Sequence, residues 1–140
     1  MREILNIVIP FAPVAKARAR SVITKHNKIR HYTPQKTKVF ENAISVFARQ
    51  VIKKPYVCPI RLNCTFYIET PKSWSKKKRL EALEGRILPT SRPDLDNYVK
   101  AVLDGLNEIL YNDDSQVIEI SARKKYNGHG SCTILAEGHL

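Results

Sequence analysis

Apolar positions along this chain alternate with polar ones in some stretches and recur every three or four residues in others, and that contrast separates strands from helices. Ile4 to Ile9 is rich in β-branched residues and is closed by Pro10, which has no N–H for a sheet ladder, so it predicts a short strand. From Phe11 to Tyr32 no helical period is visible. Val22-Ile23-Thr24 and Ile29 to Tyr32 flank His26-Asn27-Lys28, the pattern of a hairpin tip or a loop. Thr33-Pro34 reads as an N-cap followed by a first-turn proline, and Phe40, Ile44, Phe47 and Val51 continue at helical spacing, which predicts a helix over 34–52. Ile60, Leu62, Cys64, Phe66 and Ile68 alternate with Arg61, Asn63, Thr65, Tyr67 and Glu69, as in a strand with one buried face.

Pro71 stops that strand, Ser73 or Ser75 is placed to cap a short helix through Leu83 that ends at Gly85, and 86–92 is a connector. After Pro93, Leu95, Val99, Val102, Leu106 and Ile109 form one stripe of a second long helix over 94–110. Asn112 to Ser115 are turn formers, after which Val117 to Tyr126 and Ser131 to Glu137 read as a hairpin joined by Asn127-Gly128-His129-Gly130. The simplest packing of this order is a two-layer α/β (α+β) architecture, a mixed β-sheet covered by two long helices. The 140 residues suit a single domain over 1–140, with no repeat and no low-complexity segment.

Charge changes the picture from fold to partner. The net charge is +11, which favours a polyanion, either nucleic acid or an anionic membrane surface. No run approaches the roughly 18 apolar residues of a membrane span, and Ile4 to Pro10 is too short for a signal h-region, so a cytoplasmic setting without membrane attachment is expected. Residues 1–55 hold 12 basic and 2 acidic side chains, whereas residues 94–140 hold 4 basic and 8 acidic. A dense negative centre thus lies inside an otherwise positive protein. Carboxylates repel phosphate unless divalent cations intervene, which is the condition a metal-dependent nuclease satisfies.

Within that centre, Asp94 stands at the start of the second long helix and Asp96 in its first turn. Lys100 lies four residues after Asp96, with Asp104 one turn further. Asp113 and Asp114 follow the helix, and a strand running back along it would bring them toward the Asp96 face. Three converging carboxylates suit Mg²⁺ and hydrolysis of a phosphodiester by a metal-activated water, with Lys100 offsetting phosphate charge. Spacing alone equally suits a helix cap at Asp94, a dipole partner at Asp96, its i+4 ion pair at Lys100 and a plain turn at 112–115.

The segment Arg92-Pro93-Asp94-Leu95-Asp96-Asn97-Tyr98-Val99-Lys100-Ala101-Val102-Leu103-Asp104-Gly105-Leu106-Asn107, with Tyr111-Asn112-Asp113-Asp114-Ser115-Gln116-Val117 after it, resembles the signature of RusA-type Holliday-junction resolvases. Pro13, Lys16, Arg18 and Arg20, Tyr32-Thr33-Pro34, and Pro71 to Ser75 resemble family features too, so most of the chain is covered. The resemblance implies a RusA-like fold and a homodimeric endonuclease dependent on Mg²⁺ or Mn²⁺ that makes paired symmetric nicks in a four-way DNA junction during recombination and repair. By position it implies that Asp94, Asp96 and Asp114 are the essential carboxylates and metal ligands and Lys100 the catalytic lysine, with Asp104 and Asp113 supporting. Here Pro93 directly precedes the first Asp where some members carry a basic residue, which leaves Arg92 as the candidate phosphate contact.

The basic segments admit two readings each. Lys16, Arg18 and Arg20 alternate with alanines and form either a phosphate-following ladder or a charged strand edge; DNA contact is favoured. Lys76 to Arg79 beside Trp74 suit either phosphate grip with base stacking, or a solvated face with a buried tryptophan anchor. Of Arg123-Lys124-Lys125, Lys124 is taken as the residue flanking the substrate channel. Cys58, Cys64 and Cys132 sit in apolar alternation and read as core residues. No zinc-ligand spacing and no phosphate-binding G-x-x-x-x-G-K-[ST] loop occurs, so zinc and nucleotide cofactors are not expected. The competing classes are a non-catalytic protein that binds branched DNA and a less selective flap or single-strand nuclease.

Overall fold

Two strand-rich segments frame two helices that pack on each other as well as on the sheet. A computed structural model describes residues 1–16, 20–23, 29–32 and 35–140, with 20–23 and 29–32 described by their backbone. The elements are β1 (Arg2–Ile9), β2 (Arg20–Ile23), β3 (Ile29–Tyr32), α1 (Gln35–Arg49), β4 (Ile60–Glu69), α2 (Lys76–Leu83), α3 (Leu95–Leu106), a 3₁₀ turn Asp114–Gln116, β5 (Val117–Asn127) and β6 (Ser131–Gly138). This is the expected order, and it builds the expected mixed sheet with helices on one face. β2 and β3 pair antiparallel, as the hairpin pattern predicts; His26-Asn27-Lys28 and the Thr33-Pro34 cap lie outside the described residues.

The main sheet runs β1-β6-β4-β5. β4 pairs parallel with β5 from Ile60↔Val117 to Glu69↔Asn127, and antiparallel with β6 from Ile60↔Gly138 to Tyr67↔Ser131. This corrects the predicted β5–β6 hairpin. The two strands do run in opposite directions and are joined by a short loop, but β4 lies between them. A turn signal reports reversal of the chain and carries no information on which strand fills the gap.

The even-numbered residues Ile60, Leu62, Cys64 and Phe66 of β4 are buried beside Cys132, Ile134 and Ala136 of β6, so this face carries the helices. α1 buries Thr37, Phe40, Ile44 and Ala48, and α3 buries Tyr98, Ala101, Val102, Gly105 and Leu106. Tyr98 stacks on Phe66 with ring centroids 5.0 Å apart, fixing α3 to β4. Gly105 sets the distance between the helices. A Cβ there would lie 2.9 Å from the Ile44 Cβ and 3.1 Å from the Glu41 carbonyl oxygen. The Ser45 hydroxyl donates to the Gly105 carbonyl at 2.7 Å across the same crossing.

Both long helices end sooner than their apolar stripes suggest. α1 stops at Arg49, Val51 turns outward, and Ile52 takes the buried place while its N–H donates to the Ala48 carbonyl at 2.8 Å. α3 stops at Leu106, where Asn107 is extended and Glu108 has φ +65°. The chain then turns, and Ile109 and Leu110 are buried in the turn and Tyr111 in a bridge to Tyr56 just after it, so the apolar period continues beyond the helix itself. None of the helices is long and apolar enough to cross a membrane, among the described residues.

Candidate active site

The first turn of α3 is held from two sides. The Lys16 backbone N–H donates to the Asn97 carbonyl at 2.8 Å, docking the segment after β1 against the turn. On the other side the Lys124 ammonium donates to the carbonyls of Ser91 and Pro93 at 3.0 and 3.1 Å, tying down the two residues that bracket Arg92. Strand alternation divides the basic run of β5. Lys124 points with Ala122 toward the helices, whereas the Arg123 guanidinium lies on the opposite face, donating to Asn63 Oδ1, Thr65 Oγ1 and Ser121 Oγ at 2.7 to 2.9 Å.

Asp94 is the N-cap residue of α3 by backbone conformation, yet its side chain makes no capping hydrogen bond. Its backbone carbonyl accepts from Asn97 and Tyr98, and the carboxylate is left exposed. Asp96 is likewise exposed, and neither carboxylate has an ion-pair partner among the described residues. Of the ordinary structural roles open to these two acids, Asp96 does sit in the first turn, where the helix dipole favours it, but the side-chain cap at Asp94 and the i+4 ion pair of Asp96 with Lys100 are not made.

Lys100 instead reaches along and across the helix. Its ammonium is 3.1 Å from Asp104 Oδ1 and 3.6 Å from Asp114 Oδ2. The nearby Asp104 carboxylate, with Asp114 adding to it, holds the Lys100 pKa above the ordinary lysine value against the opposing pull of burial, so this lysine is a cation at neutral pH. The other Asp104 oxygen is 3.1 Å from the Lys16 ammonium, which is also 2.7 Å from Glu41 Oε1 on α1. Burial alone would lower the Lys16 pKa, but the two carboxylates outweigh it and raise the pKa.

Asp113 and Asp114 are adjacent and do different things. Asp113 Oδ2 accepts from the Ser115 N–H at 3.3 Å, and the Gln116 side-chain oxygen accepts from the Asp113 N–H at the same distance, closing a capping box. The Ser115 contact draws the Asp113 pKa down. The Gln116 amide also donates to the carbonyls of Tyr56 and Cys58, pinning the turn to the segment before β4. With Asp113 occupied as the cap, Asp114 at the start of the 3₁₀ turn is the carboxylate that faces Lys100. Beneath it lies Tyr111, fully buried, whose hydroxyl donates to the Leu103 carbonyl at 2.7 Å. Burial first, and then the Asp114 and Asp104 charges, push its phenol pKa far up.

The structure thus brings together Lys100, Asp104 and Asp114, with Lys16 behind them, and sets Asp94 and Asp96 at the helix start. Among the described residues no three carboxylate, histidine or cysteine side chains stand close enough to grip one ion together. The donor set nevertheless fits a hard divalent cation: every candidate ligand is a carboxylate oxygen, and two of the carboxylates have no ion-pair partner among the described residues. Arg92 is exposed two residues before Asp94, Arg18 lies outside the described residues, and Arg20 is described by its backbone. Trp74 packs edge-on against Tyr126 at 5.2 Å, with the Lys78 ammonium 4.2 Å from its ring centre, so it serves as the anchor of α2.

Sequence reasoning passed over Glu41, Tyr111 and Gln116. For Glu41 there was a signal: it is one of two acids against 12 basic residues in the first 55. Tyr111 and Gln116 lay inside the acidic motif, but their work is done through contacts distant in sequence.

Comparison with known proteins identifies the architecture. The family model for endodeoxyribonuclease RusA matches residues 10–135. Protein YqaN of Bacillus subtilis (strain 168) is 38% identical over 118 residues, covering 82% of each chain. The crossover junction endodeoxyribonuclease RusA of Lactococcus phage r1t is 34% identical over 91 residues, 59% of this chain and 61% of its own. With the match running from the end of β1 nearly to the end of β6 and spanning every residue of the Lys100 cluster, the chain belongs to the RusA family of endodeoxyribonucleases.

Proposed function

We propose that this protein resolves four-way DNA junctions by paired symmetric nicks, acting as a homodimer that presents one acidic site to each of two strands. The observation that carries the reading is the pair of exposed Asp94 and Asp96 carboxylates without ion-pair partners among the described residues, at the start of a helix whose next turn presents Lys100. In a protein of net charge +11, such acids are a liability for DNA binding unless a cation joins them.

Asp94, Asp96 and Asp114 are the residues that would supply carboxylate oxygens to Mg²⁺, or Mn²⁺ in its place, and since no three such groups already stand within reach of one ion among the described residues, binding would have to draw them together. When bound, the ion supplies an activated water and a positive centre for charge developing on the phosphate. The protein's own groups do the rest. Lys100, kept protonated by its carboxylate neighbours, donates to a phosphate oxygen and offsets its charge. Lys124 fixes the connector that delivers Asp94, and Arg92, exposed on that connector, contacts the strand being cut. The phage relative fits a role in recombination and repair of bacterial or prophage DNA.

The test is cleavage of a synthetic four-way junction in Mg²⁺, alongside flap and linear duplex substrates. Asp94→Asn and Asp114→Asn are expected to lose about a hundredfold or more in turnover, the scale of removing a group that stabilises the transition state. Variants that cut as well as the parent would refute the site, and equal turnover on all three substrates would refute junction selectivity.

A further inference from the structure

Lys16 heads the basic ladder that alternation assigns to phosphate, yet its ammonium is turned inward. It sits between Glu41 Oε1 at 2.7 Å and Asp104 Oδ2 at 3.1 Å, and its side chain is 24% exposed. From there an alternating series of charges continues through Asp104 Oδ1 to Lys100 at 3.1 Å, and on to Asp114 at 3.6 Å. Exposure rises from 19% at Glu41 through 24% at Lys16 and 26% at Asp104 to 52% at Lys100, and Asp114 at the far end is 36% exposed. The inner end is anchored on α1 and the outer end opens where substrate arrives.

We infer that Lys16 and Glu41 are positioning residues for Lys100, acting through Asp104, and that Lys16 is not a phosphate contact. This rests on the junction-cleaving role proposed above. The physical reason is competition for one carboxylate. Asp104 has two oxygens and two lysines, one for each. With Lys16 in place, part of the Asp104 charge is neutralised from behind, and Lys100 is aimed by one oxygen while staying free to turn to a phosphate. Without Lys16 the whole carboxylate pulls on Lys100 and repels the phosphate. Glu41 holds Lys16 at its post, since an ammonium with Asp104 as its one partner would swing toward solvent or toward Asp104 alone. The close α1–α3 approach over Gly105 makes the arrangement possible, because Glu41 lies on the turn of α1 that this glycine admits.

The two assignments of Lys16 differ in measurable sign. If Lys16 grips phosphate, Lys16→Met weakens junction binding and reduces the salt slope of binding by about one. If it is a positioning residue, the substitution leaves both unchanged, measured in Ca²⁺, and lowers turnover at saturating junction roughly tenfold or more, as removing outer supports of a site does. Glu41→Gln is sharper still. It removes one negative charge, so a purely electrostatic role predicts tighter DNA binding and undiminished cutting, whereas positioning predicts the same loss of turnover as Lys16→Met. The double variant is expected to match either single one within about twofold, because the two act as one unit.

Thermal unfolding is followed in parallel, and Glu41→Gln, nearly isosteric, decides the matter if Lys16→Met folds poorly. Full turnover in Glu41→Gln, a changed salt slope in Lys16→Met, or a loss explained by unfolded protein alone each overturns the assignment. A parent that cuts no junction removes the function and the positioning role together; a parent that cuts, with variants that cut equally well, removes the positioning role alone.

Discussion

Lys16 and Lys124 have their ammonium groups turned onto protein oxygens, whereas Lys76 and Lys77 at the start of α2 stand exposed with no ion-pair partner among the described residues. The same side chain is used in opposite ways within one small enzyme. Around α3 lysines set the shape of an acidic site, where a charge must be in one place to matter. α2 buries Ala82 and is otherwise exposed or half-buried, so it can only add charge to a surface. What separates the two groups is the surroundings: carboxylates and carbonyl ends near α3, solvent around α2. On the proposed function, capture of DNA falls to the lysines of α2 and chemistry to those around α3, a division that mutation should separate.

The largest effect is expected at the centre of the network. Lys100→Met should lower turnover on a junction by about 10²- to 10³-fold in single-turnover assays while junction affinity in Ca²⁺ changes little. A loss seen mainly in affinity would place Lys100 with the capturing lysines.

Next in size is a change that touches no charge. Gly105→Ala puts a Cβ within 2.9 Å of Ile44 and forces α1 and α3 apart. The overpacking cost of about 1–3 kcal/mol exceeds the roughly 1 kcal/mol that alanine gains over glycine in a helix, so urea unfolding should show a net loss of stability. Cutting by the folded fraction should fall too, because Glu41 and Asp104 sit on the two helices being separated. A variant more stable than the parent would show that the crossing has slack.

Lys124→Met should come third, with turnover reduced about tenfold, equivalent to about 1.4 kcal/mol, and an unchanged salt slope. Loss of its two carbonyl partners frees the connector that delivers Asp94. Replacing both Lys76 and Lys77 with Gln should do the reverse: the salt slope of junction binding falls by up to about two, and turnover at saturation is unaffected. If the two experiments gave the same pattern, the division between shaping and capturing lysines would fail.

The smallest effect serves as a control on all the others. Cys58 is half-buried, while Cys64 and Cys132 lie in the core, and burial pushes the Cys64 thiol up to about 12. In the folded parent and in folded variants, Cys58 should be the cysteine that reacts with a thiol reagent at pH 8, with the other two released by denaturant. Since a raised folded pKa lowers stability as pH rises, unfolding should become easier above about pH 8.5, where the unfolded chain's thiols ionise and the two buried ones do not.

Local signals were sufficient for much of this molecule. Alternation from Ile60 to Glu69 defines β4, Ser75 caps α2 as expected, and Gly85 ends it with φ +83°. The resemblance of the acidic motif groups Lys100 with Asp114, a pairing that spacing alone leaves open, and the structure puts them 3.6 Å apart. Short-range patterns succeed there because a cap, a stripe or a turn is decided by residues within a few positions of each other. They overran the ends of α1 and α3 for the same reason, since burial of Ile52, Ile109 and Leu110 keeps the apolar period going after the helical backbone has stopped.

Tertiary packing decided the rest. β4 enters between β5 and β6 although no residue near the 127–131 loop announces it. Asp113 becomes a cap and leaves Asp114 to face Lys100 because Gln116 is drawn to the carbonyls of Tyr56 and Cys58, about 60 residues away in the chain. Lys16 reads from the sequence as one rung of a basic ladder, and only the approach of α1 to α3 supplies the Glu41 and Asp104 oxygens that turn it inward. Residue type sets which charges a chain carries, and local spacing sets which element carries them. The partner of each charge depends on which elements pack side by side, a long-range outcome of burying the core.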